Sequence, residues 1–338
     1  MLFFGMTHSD AAPPPKKIDV LDSFYPELKN GDNMWINADL LYFLTSEKRI
    51  AMTNKKTDLF TTADVTEKPM VHPDFPWDLG FRLGFGYIFP QRDWDITANW
   101  TYFHTSFHQK RSTHGNVEFG MFPVWSLADD ILPFDWVSEA KMDFDLHLNY
   151  VDIDGGRAFK WGSFFLRPFA GIRVAWIKQE IDVAYKGGIF ANGLNLPGLG
   201  SDCRADHVDM RNNFFGIGPQ VGIEPQINLG KGWRLYGNAC GSIEYGFFNV
   251  REHEVYLETL RYYRHKHPQR WRWMLDAGAG VLWKTFIAHR RFALTFKAGW
   301  EYHVFYDQVE LKGDEFDLVS DDRNLILNGV ALSTRFDF

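Results

Sequence analysis

The chain has 338 residues and a formal net charge of −7, so no basic excess favours nucleic acid as a partner. Aromatic residues make up 17% of the chain, which is heavy for a soluble protein of this length. Yet no run approaches the roughly 18 uninterrupted apolar residues that a membrane-spanning helix needs. A membrane barrel satisfies both observations, because only alternate residues of its strands face lipid.

The first 32 residues differ from the rest, and we treat 1–32 as an N-terminal segment that precedes a barrel domain at 33–338. Leu2 to Met6 form the only apolar run near the start, and no basic residue precedes them. This run is short for a secretory signal, so the segment is either the remnant of an export signal or a plain disordered terminus. Pro13 to Pro15 then make a stiff, Pro-rich spacer before the first strand.

Four segments in the first half of the chain alternate between apolar and polar residues. They lie near Met34 to Leu44, Leu79 to Phe89, Asp93 to Phe103 and Ala140 to Tyr150. A period of two is the spacing of side chains on one face of a β-strand. Each segment therefore predicts a strand whose two faces meet different surroundings.

Six further segments repeat the alternation to the end of the chain, near 162–185, 208–228, 233–249, 270–286, 290–307 and 324–338. The last of them, ILNGVALSTRFDF, places Leu332, Phe336 and Phe338 on one face and Arg335 and Asp337 on the other. A terminal Phe on the last strand is typical of outer-membrane barrels, where that strand also serves as the assembly signal.

The gaps between these segments alternate in length. Short gaps lie at 90–92, 154–161, 229–232 and 287–288, and long polar gaps at 45–78, 107–138, 186–207, 250–269 and 308–323. Alternating tight turns and long loops, with an even strand number, characterise outer-membrane barrels. We predict an all-β fold, a transmembrane antiparallel up-and-down β-barrel of about ten strands with long extracellular loops. Twelve strands are possible if 45–60 or 112–125 forms an extra pair.

A soluble sandwich or lipocalin-like barrel is the alternative, and there the apolar face would point inward. The interior of a closed barrel of about ten strands is too narrow for several large rings per strand. Glycines such as Gly80, Gly84 and Gly86 lie on the opposite face, as expected of a crowded concave side. The polar face is therefore predicted to line the lumen, although a two-sheet sandwich would escape this volume argument.

Charged residues of both signs lie on the predicted lumen face. They are Arg82, Asp95, Asp143, Arg167, Arg173, Glu224, Glu244, Arg272, Asp276, Lys297, Glu301, Arg335 and Asp337. In a wide barrel they would set the ion preference of a pore. In a narrow barrel they would pair with one another and plug it, because an unpaired buried charge is costly. We expect at least half of them to form structural pairs.

Aromatic residues at the ends of the predicted strands are placed to form girdles at the two membrane surfaces. These are Trp94, Tyr102, Trp271, Trp283, Phe292, Tyr302, Phe336 and Phe338. At about 3.3 Å per residue and a tilt of roughly 40°, ten residues span about 25 Å, which is the height of the lipid-facing band.

Several stretches resemble the Legionella-type major outer membrane protein family, which has relatives in chlamydia-related bacteria. They are FAGIRVAWI at 169–177, NNFFGIGPQVGIEPQINLGKGWRLYGNACGSIEYGFFNV at 212–250, AGWEYHVFYDQ at 298–308 and GVALSTRFDF at 329–338. The resemblance is densest from Phe169 to the end. It implies a pore-forming protein that is abundant in the bacterial outer membrane and faces host cells. Members are also known for disulfide cross-links, which makes Cys203 a possible cross-link to a neighbour.

Enzyme, cofactor and metal signals are weak. His104, His108 and Asp145 could lie near the extracellular rim, where a surface protease would hold its acids and histidine, but solvated loop residues are the commoner case. His265 and His267 could bind a metal weakly, although a basic loop tip explains them as well. We expect no enzyme activity, no cofactor and no metal site.

The predicted function is passive diffusion of small hydrophilic solutes or ions through an outer-membrane pore. The alternative is a closed structural or adhesive surface barrel whose loops bind host or neighbouring molecules. Expected partners are outer-membrane lipids, the diffusing solutes or ions, the barrel-assembly machinery through the C-terminal strand, and host or neighbouring surface proteins.

Overall fold

The computed structural model describes residues 23–29, 33–55, 70–89, 93–112, 121–125, 137–186, 205–256, 260–311 and 322–338. Every regular element in these ranges is a β-strand. The described residues include no helix that is long and apolar enough to cross a membrane.

The strands, in chain order, are β1 (Met34–Glu47), β2 (Thr53–Lys55), β3 (Met70–Val71), β4 (Trp77–Phe89), β5 (Trp94–Ser112), β6 (Met121–Pro123), β7 (Glu139–Arg157), β8 (Phe159–Trp161), β9 (Phe164–Lys186), β10 (Ala205–Gly230), β11 (Trp233–Tyr256), β12 (Leu260–Lys266), β13 (Gln269–Ile287), β14 (Phe292–Phe305) and β15 (Leu325–Asp337). The ten long strands β1, β4, β5, β7, β9, β10, β11, β13, β14 and β15 each pair antiparallel with the next. Strand β15 pairs in turn with β1, with Trp35 opposite Asp337, so the barrel is closed. The predicted antiparallel up-and-down barrel of ten strands is confirmed.

The short strands do not enlarge the barrel. Strands β2, β3 and β6 form a separate three-stranded sheet from two long loops. Strand β12 pairs with the far end of β11, and β8 pairs with the start of β9. The segments 45–60 and 112–125, which could have supplied an extra barrel pair, contribute to the small sheet instead.

One end of the barrel holds the tight turns together with the start of β1 and the end of β15. The turn from β10 to β11 is formed by Gly230, Lys231 and Gly232, whose φ angles are +89°, +54° and +84°. A Cβ atom on Gly232 would lie 2.2 Å from the carbonyl oxygen of Lys284, so this turn requires glycine. We call this end periplasmic, because outer-membrane barrels keep short turns and both termini there.

The wall of the barrel is taller on one side than on the other. Strands β9, β10 and β11 have 23, 26 and 24 residues, whereas β1 and β15 on the other side have 14 and 13. The extra length lies at the end opposite the tight turns, which we call extracellular.

The character of both faces of the wall reverses along the tall strands. On β9, outward Ile172 and Trp176 are exposed and apolar, but outward Glu180 is followed toward the extracellular end only by polar or small residues. Inward, the buried Arg173 gives way to the buried Ile177. We call the two parts the membrane half, up to the level of Tyr102 and Trp176, and the extracellular half beyond it.

Candidate functional site

The lumen of the membrane half is lined by polar and charged side chains from all parts of the wall. It encloses a cavity of about 210 Å³, which gives room for on the order of ten water molecules. Its walls come from inward positions on the barrel strands, together with Phe24 and Tyr25 of the N-terminal segment. Any solute that crossed the membrane through the barrel would pass through this chamber.

The first ion-pair group in the chamber is built around Arg82 of β4. Its guanidinium donates to Glu301 on β14, with Nη2 2.8 Å from Oε2, and Nη1 lies 3.2 Å from Asp39 Oδ2. Glu301 also lies 3.1 Å from Nε2 of His303. These contacts reach over part of the lumen, because β4 and β14 are separated by β1 and β15 in the wall.

Arg173 of β9 forms the second group, which is continuous with the first. Its Nε lies 2.7 Å from Asp152 Oδ1, and its Nη1 lies 2.6 Å from Asp276 Oδ2. The other oxygen of Asp276 lies 2.7 Å from Nδ1 of His303, which joins the two groups. The guanidinium also lies over the ring of Tyr150, 4.6 Å from its centroid. Buried charges are therefore compensated in a chain that crosses the chamber.

Nearer the periplasmic end, Arg167 is surrounded by carboxylates. Its Nη2 lies 2.5 Å from Asp95 and 2.7 Å from Asp154, and its Nη1 lies 3.5 Å from Glu224. The hydroxyl of Tyr25 donates a hydrogen bond to Asp95. The N-terminal segment is thus anchored in the same charge group that closes this level of the lumen.

Residues 23–29 lie across the periplasmic mouth of the chamber. Arg234 Nη2 donates to the carbonyl of Ser23 at 2.6 Å, and Lys284 Nζ donates to the carbonyl of Phe24 at 2.8 Å. Both cations are buried on strands of the wall, so the backbone of the segment completes the wall as well as covering the opening.

In the extracellular half the lumen is filled by an apolar core. Its members include Leu41, Phe43, Phe103, Phe144, Leu148, Ile177, Ile181, Val183, Met210, Phe214, Phe248 and Phe305, all buried. Interiors of this kind are close-packed and exclude water. The predicted volume limit was wrong for this half, because large rings do fit inside the barrel where the opposite positions are small.

Glycines make the room for these rings. A Cβ atom on Gly246 would lie 2.1 Å from the ring of Phe214, and one on Gly216 would lie 2.5 Å from the same ring. The inward glycines of β10 and β11 therefore let an aromatic side chain lie flat against the wall.

Segments from the long loops complete the apolar core. Ile50, Ala51 and Met52, which follow β1, are fully buried, as is Trp125, which follows β6. The indole Nε1 of Trp125 donates to the carbonyl of Ala51 at 2.6 Å. The described parts of the two loops, at 50–52 and 124–125, therefore belong to the apolar core and are joined there by this hydrogen bond.

Tyr185 of β9 fixes the same loops to the wall. Its hydroxyl donates to the carbonyl of Met52 at 3.0 Å and accepts from the backbone N–H of Val124 at 3.3 Å. A buried hydroxyl that makes both bonds is fully satisfied, so this contact favours one arrangement of the loops over others.

Most of the charged residues predicted to face the lumen lie on its wall. Those that line the chamber are Arg82, Asp95, Arg167, Arg173, Glu224, Asp276, Lys297, Glu301 and Arg335. Glu244, Arg272 and Asp337 also have inward positions and are buried, where they contact Ser242, Glu310 and Arg335 respectively. The structure brings together Arg82 with Glu301, Arg173 with Asp276, and Arg167 with Asp95 and Glu224.

The prediction that Asp143 faces the lumen was wrong. Asp143 lies on the outer wall with 58% of its side chain exposed, 2.5 Å from Nδ1 of His108 on the neighbouring strand. Its neighbours Met142 and Phe144 are buried inside. This part of β7 projects beyond the membrane half, so its polar face meets water and its apolar face fills the barrel.

The predicted girdle residues lie on the outer wall near the ends of the membrane half. Trp94, Trp271, Trp283 and Tyr302 are exposed, and Tyr102 is half-buried. At the periplasmic end, the ring of Phe336 stacks on Phe292 and Phe338, with centroids 5.3 and 5.8 Å apart.

Sequence reasoning missed several residues of the chamber, namely Asp39, Asp152, Asp154, His303 and Tyr25. Asp152 and Asp154 share their parity with the apolar residues Leu148 and Tyr150 of β7. The sequence of β7 does carry a signal for these two residues. A strand face that changes from apolar to acidic side chains must lie in two different environments.

The cysteine predictions have different outcomes. Cys203 lies outside the described residues. Cys240 is a free, buried thiol on the inner wall, with Sγ 3.6 Å from Oε1 of Gln220. His265 and His267 lie close together on and after β12, with ring centroids 4.2 Å apart.

Comparison with known proteins places the chain in one family. The family model described as Legionella pneumophila major outer membrane protein precursor matches residues 26–338. No curated protein is a significant match.

Among solved structures, the outer membrane protease OmpT from Escherichia coli is 13% identical, with 91% of this chain and 98% of that chain covered and a TM-score of 0.38. The Pseudomonas putida toluene transporter TodX is 9% identical, with 92% and 91% covered and a TM-score of 0.32. A Pseudomonas aeruginosa FadL homologue is 9% identical, with 90% and 89% covered and a TM-score of 0.25.

Proposed function

We propose that this chain, which belongs to the family of the Legionella pneumophila major outer membrane protein precursor, is a closed surface barrel of the outer membrane. It acts through its extracellular half, as a structural or adhesive protein whose loops bind host or neighbouring molecules. No catalytic group is required for this role, and the absence of enzyme activity stays a prediction.

The apolar core of the extracellular half carries this proposal. A hydrated solute or ion that entered from outside would have to displace buried side chains such as Phe43, Phe103 and Phe305, together with the loop residues Met52 and Trp125. Fully burying one such side chain is worth about 1.5–3 kcal/mol. Opening this half therefore requires the loops to leave the barrel, which is a large rearrangement.

The membrane half supports the same conclusion. The charges that could guide ions are engaged with one another, as in the contacts of Arg173 with Asp152 and Asp276. Removing one partner of a buried pair of this kind costs about 3–5 kcal/mol. The segment 23–29 covers the periplasmic side of the same chamber.

Partners are expected at three surfaces of this barrel. Lipids contact the apolar outer wall of the membrane half, and the barrel-assembly machinery recognises the C-terminal strand β15. Host or neighbouring surface proteins contact the extracellular half, whose outer face is polar and whose wall is tallest along β9 to β11.

Passive diffusion of small hydrophilic solutes or ions is the second candidate function. The observation that favours it is the chamber of about 210 Å³, which lies at the level of the membrane and has charges of both signs on its wall. Such a lining would set ion preference if both ends opened. In this case the N-terminal segment and the buried loops would act as the gates.

Single-channel conductance of the refolded chain in a planar bilayer separates the two candidates. The chain is compared with Arg173→Glu and with Lys297→Glu, a half-buried cation of the chamber wall whose Nζ lies 5.6 Å from the ring centroid of Tyr236. Lys297→Glu is included because reversing Arg173 places a third carboxylate beside two others. Heat-dependent mobility on a gel shows which samples are folded.

No conductance from folded, inserted chain supports the closed surface barrel. Discrete steps whose ion preference shifts in Lys297→Glu or Arg173→Glu would contradict it and establish a pore with those residues on its wall.

A further inference from the structure

The outer wall of the extracellular half carries a cluster of two histidines and one aspartate. His104 of β5 lies directly opposite His147 of β7 in the antiparallel register. Asp145 precedes His147 by two residues, so it projects from the same face of β7. All three side chains therefore lie on one face, directly above the outward ring of Tyr102.

The potential ligand atoms of this cluster converge. Nε2 of His104 lies 3.0 Å from Oδ2 of Asp145, and Nε2 of His147 lies 3.0 Å from Oδ1 of the same carboxylate. The two imidazole rings are stacked, with centroids 4.3 Å apart and an interplanar angle of 23°. One ligand atom from each residue lies within 4.8 Å of the others. The pairing of β5 with β7 therefore brings three potential ligand atoms together at one place on the outer wall.

Tyr102 supplies an outer contact that suits a metal-binding histidine. Its hydroxyl oxygen lies 3.4 Å from Nδ1 of His147. If Nδ1 carries the proton and donates to this hydroxyl, Nε2 keeps its lone pair and points at the shared position. Ligating histidines in proteins are commonly held in one tautomer by such a partner.

The surroundings favour a cation. A groove of about 440 Å³ beside the cluster is lined by the carboxylates of Asp143, Asp145, Glu180 and Asp182. Burial and the neighbouring Asp209 raise the pKa of Asp182, as expected where acids crowd together.

Cations near the groove oppose this field. Lys178 lies opposite His147 in the register of β9, and Arg211 lies 3.5 Å from Asp209 and 4.0 Å from Glu180. The acids of the groove outnumber them, so the local field remains negative.

We propose that His104, Asp145 and His147 form a binding site for a divalent first-row transition-metal ion, with Zn²⁺ as the ion best suited to it. Two imidazoles and one carboxylate are a ligand set that Zn²⁺ takes in proteins. Mg²⁺ and Ca²⁺ prefer oxygen ligands alone and are not expected to compete. This inference does not depend on whether the barrel is open or closed.

The site is accessible from outside. The side chains of His104, Asp145 and His147 are 37%, 38% and 43% exposed. Three protein ligands leave at least one coordination position of Zn²⁺ open. The ion can therefore exchange with the medium and take water or an outside donor group as a further ligand.

Isothermal titration of the refolded full chain with Zn²⁺ at neutral pH tests the site, using chain without a polyhistidine tag. One equivalent is expected to bind, and His104→Gln, Asp145→Asn and His147→Gln are each expected to weaken it strongly. Tyr102→Phe is expected to weaken it about 10-fold, since it removes only the outer contact. His265→Gln, on β12, is the matched control and is expected to bind as the unaltered chain does.

The site would be overturned by the absence of saturable binding to folded chain, or by binding that survives all three ligand substitutions. Loss of binding in His265→Gln or His108→Gln alone would also overturn it, because it would place the ion elsewhere. Paramagnetic resonance of bound Cu²⁺ gives a second readout. Two coordinated nitrogens are expected in the unaltered chain and one in His147→Gln, whereas an unchanged spectrum in that variant contradicts the assignment.

Discussion

The membrane half and the extracellular half of this barrel are built from the same alternating strands. In the membrane half the apolar face of the wall points outward, and in the extracellular half it points inward. In the membrane half, Ile172 faces outward and Arg173 is buried inside; in the extracellular half, Glu180 faces outward and Ile181 is buried inside. The cause is the medium outside the wall, since lipid selects apolar side chains and water selects polar ones. Because side chains alternate between the two faces of a strand, residues of the opposite character then point into the barrel.

The two interiors are stabilised differently. In the membrane half, polar groups satisfy one another through ion pairs between strands that are not neighbours in the wall, such as Arg82 with Glu301. Above, an apolar core is formed by strands and loops together. A barrel of this construction resembles a membrane anchor joined to a small soluble domain that shares its strands.

The largest effect on folding is expected when an inward apolar residue of the extracellular half is replaced by a charged residue of the kind that lines the membrane half. Met142→Asp places a carboxylate in the apolar core where Met142 is fully buried, and an unpaired buried charge costs more than the net stability of most domains can offset. We expect folded barrel to be lost, as measured by heat-dependent gel mobility. Asp143→Leu, one residue away on the outer face, is the matched control.

If Met142→Asp folds while Asp143→Leu does not, the orientation of β7 is the reverse of that described. Labelling of single cysteines at these two positions by a membrane-impermeant maleimide on intact cells gives an independent check. The reagent is expected to reach position 143 and not position 142.

The next largest effect concerns the ion pairs of the membrane half. Arg173→Met leaves Asp152 and Asp276 without their shared cation, and we expect a loss of about 3–5 kcal/mol in the free energy of unfolding. Urea unfolding in lipid vesicles measures it. Lys297→Met, which removes a chamber cation held mainly against the ring of Tyr236, is expected to cost much less, and equal losses would contradict the ion-pair chain.

A polar residue in the apolar half gives the third prediction. Glu47 ends β1 above the membrane half, fully buried, and its Oε2 accepts from Gln179 Nε2 at 2.9 Å. Burial raises the pKa of Glu47 from 4.5 to about 8. The folded chain therefore keeps this proton between about pH 4.5 and 8 while the unfolded chain loses it, so stability falls as the pH rises through that window.

Glu47→Gln is expected to remove this dependence while keeping the oxygen that accepts from Gln179. The variant and the unaltered chain should unfold alike near pH 4, and the variant should be the more stable above pH 8. Thermal unfolding at several pH values measures the difference. Parallel curves for the two proteins would show that Glu47 is ionised or solvated in the folded state.

The smallest effect on stability is expected in the segment 23–29, which lies across the periplasmic mouth of the chamber. Tyr25→Phe removes the hydrogen bond from the Tyr25 hydroxyl to Asp95, and a bond to a charged acceptor is worth about 1.5–3 kcal/mol. The barrel should stay folded while hydrogen exchange at residues 23–29 becomes faster. Glu27→Gln, whose side chain is exposed, is the control. No change in exchange would mean that this bond does not hold the segment.

The sequence by itself determined the architecture, because strand alternation and gap lengths depend on local chain geometry and on a membrane of fixed thickness. Nearly all of the predicted lumen charges point inward for the same reason. The sequence does not show where the medium around the barrel changes from lipid to water. Sequence reasoning therefore assigns Asp143 to the wrong face, although the residues around it alternate regularly.

Only the tertiary structure decided what fills the lumen. Trp125 and Ala51 meet inside the barrel although they are far apart in the chain and lie in polar loops, and Tyr25 reaches Asp95 from a segment with no strand pattern. Contacts of this kind depend on closure of the wall, which brings distant residues to one axis. A periodicity of two records which face a side chain is on, but the face becomes an inside or an outside only when the sheet closes.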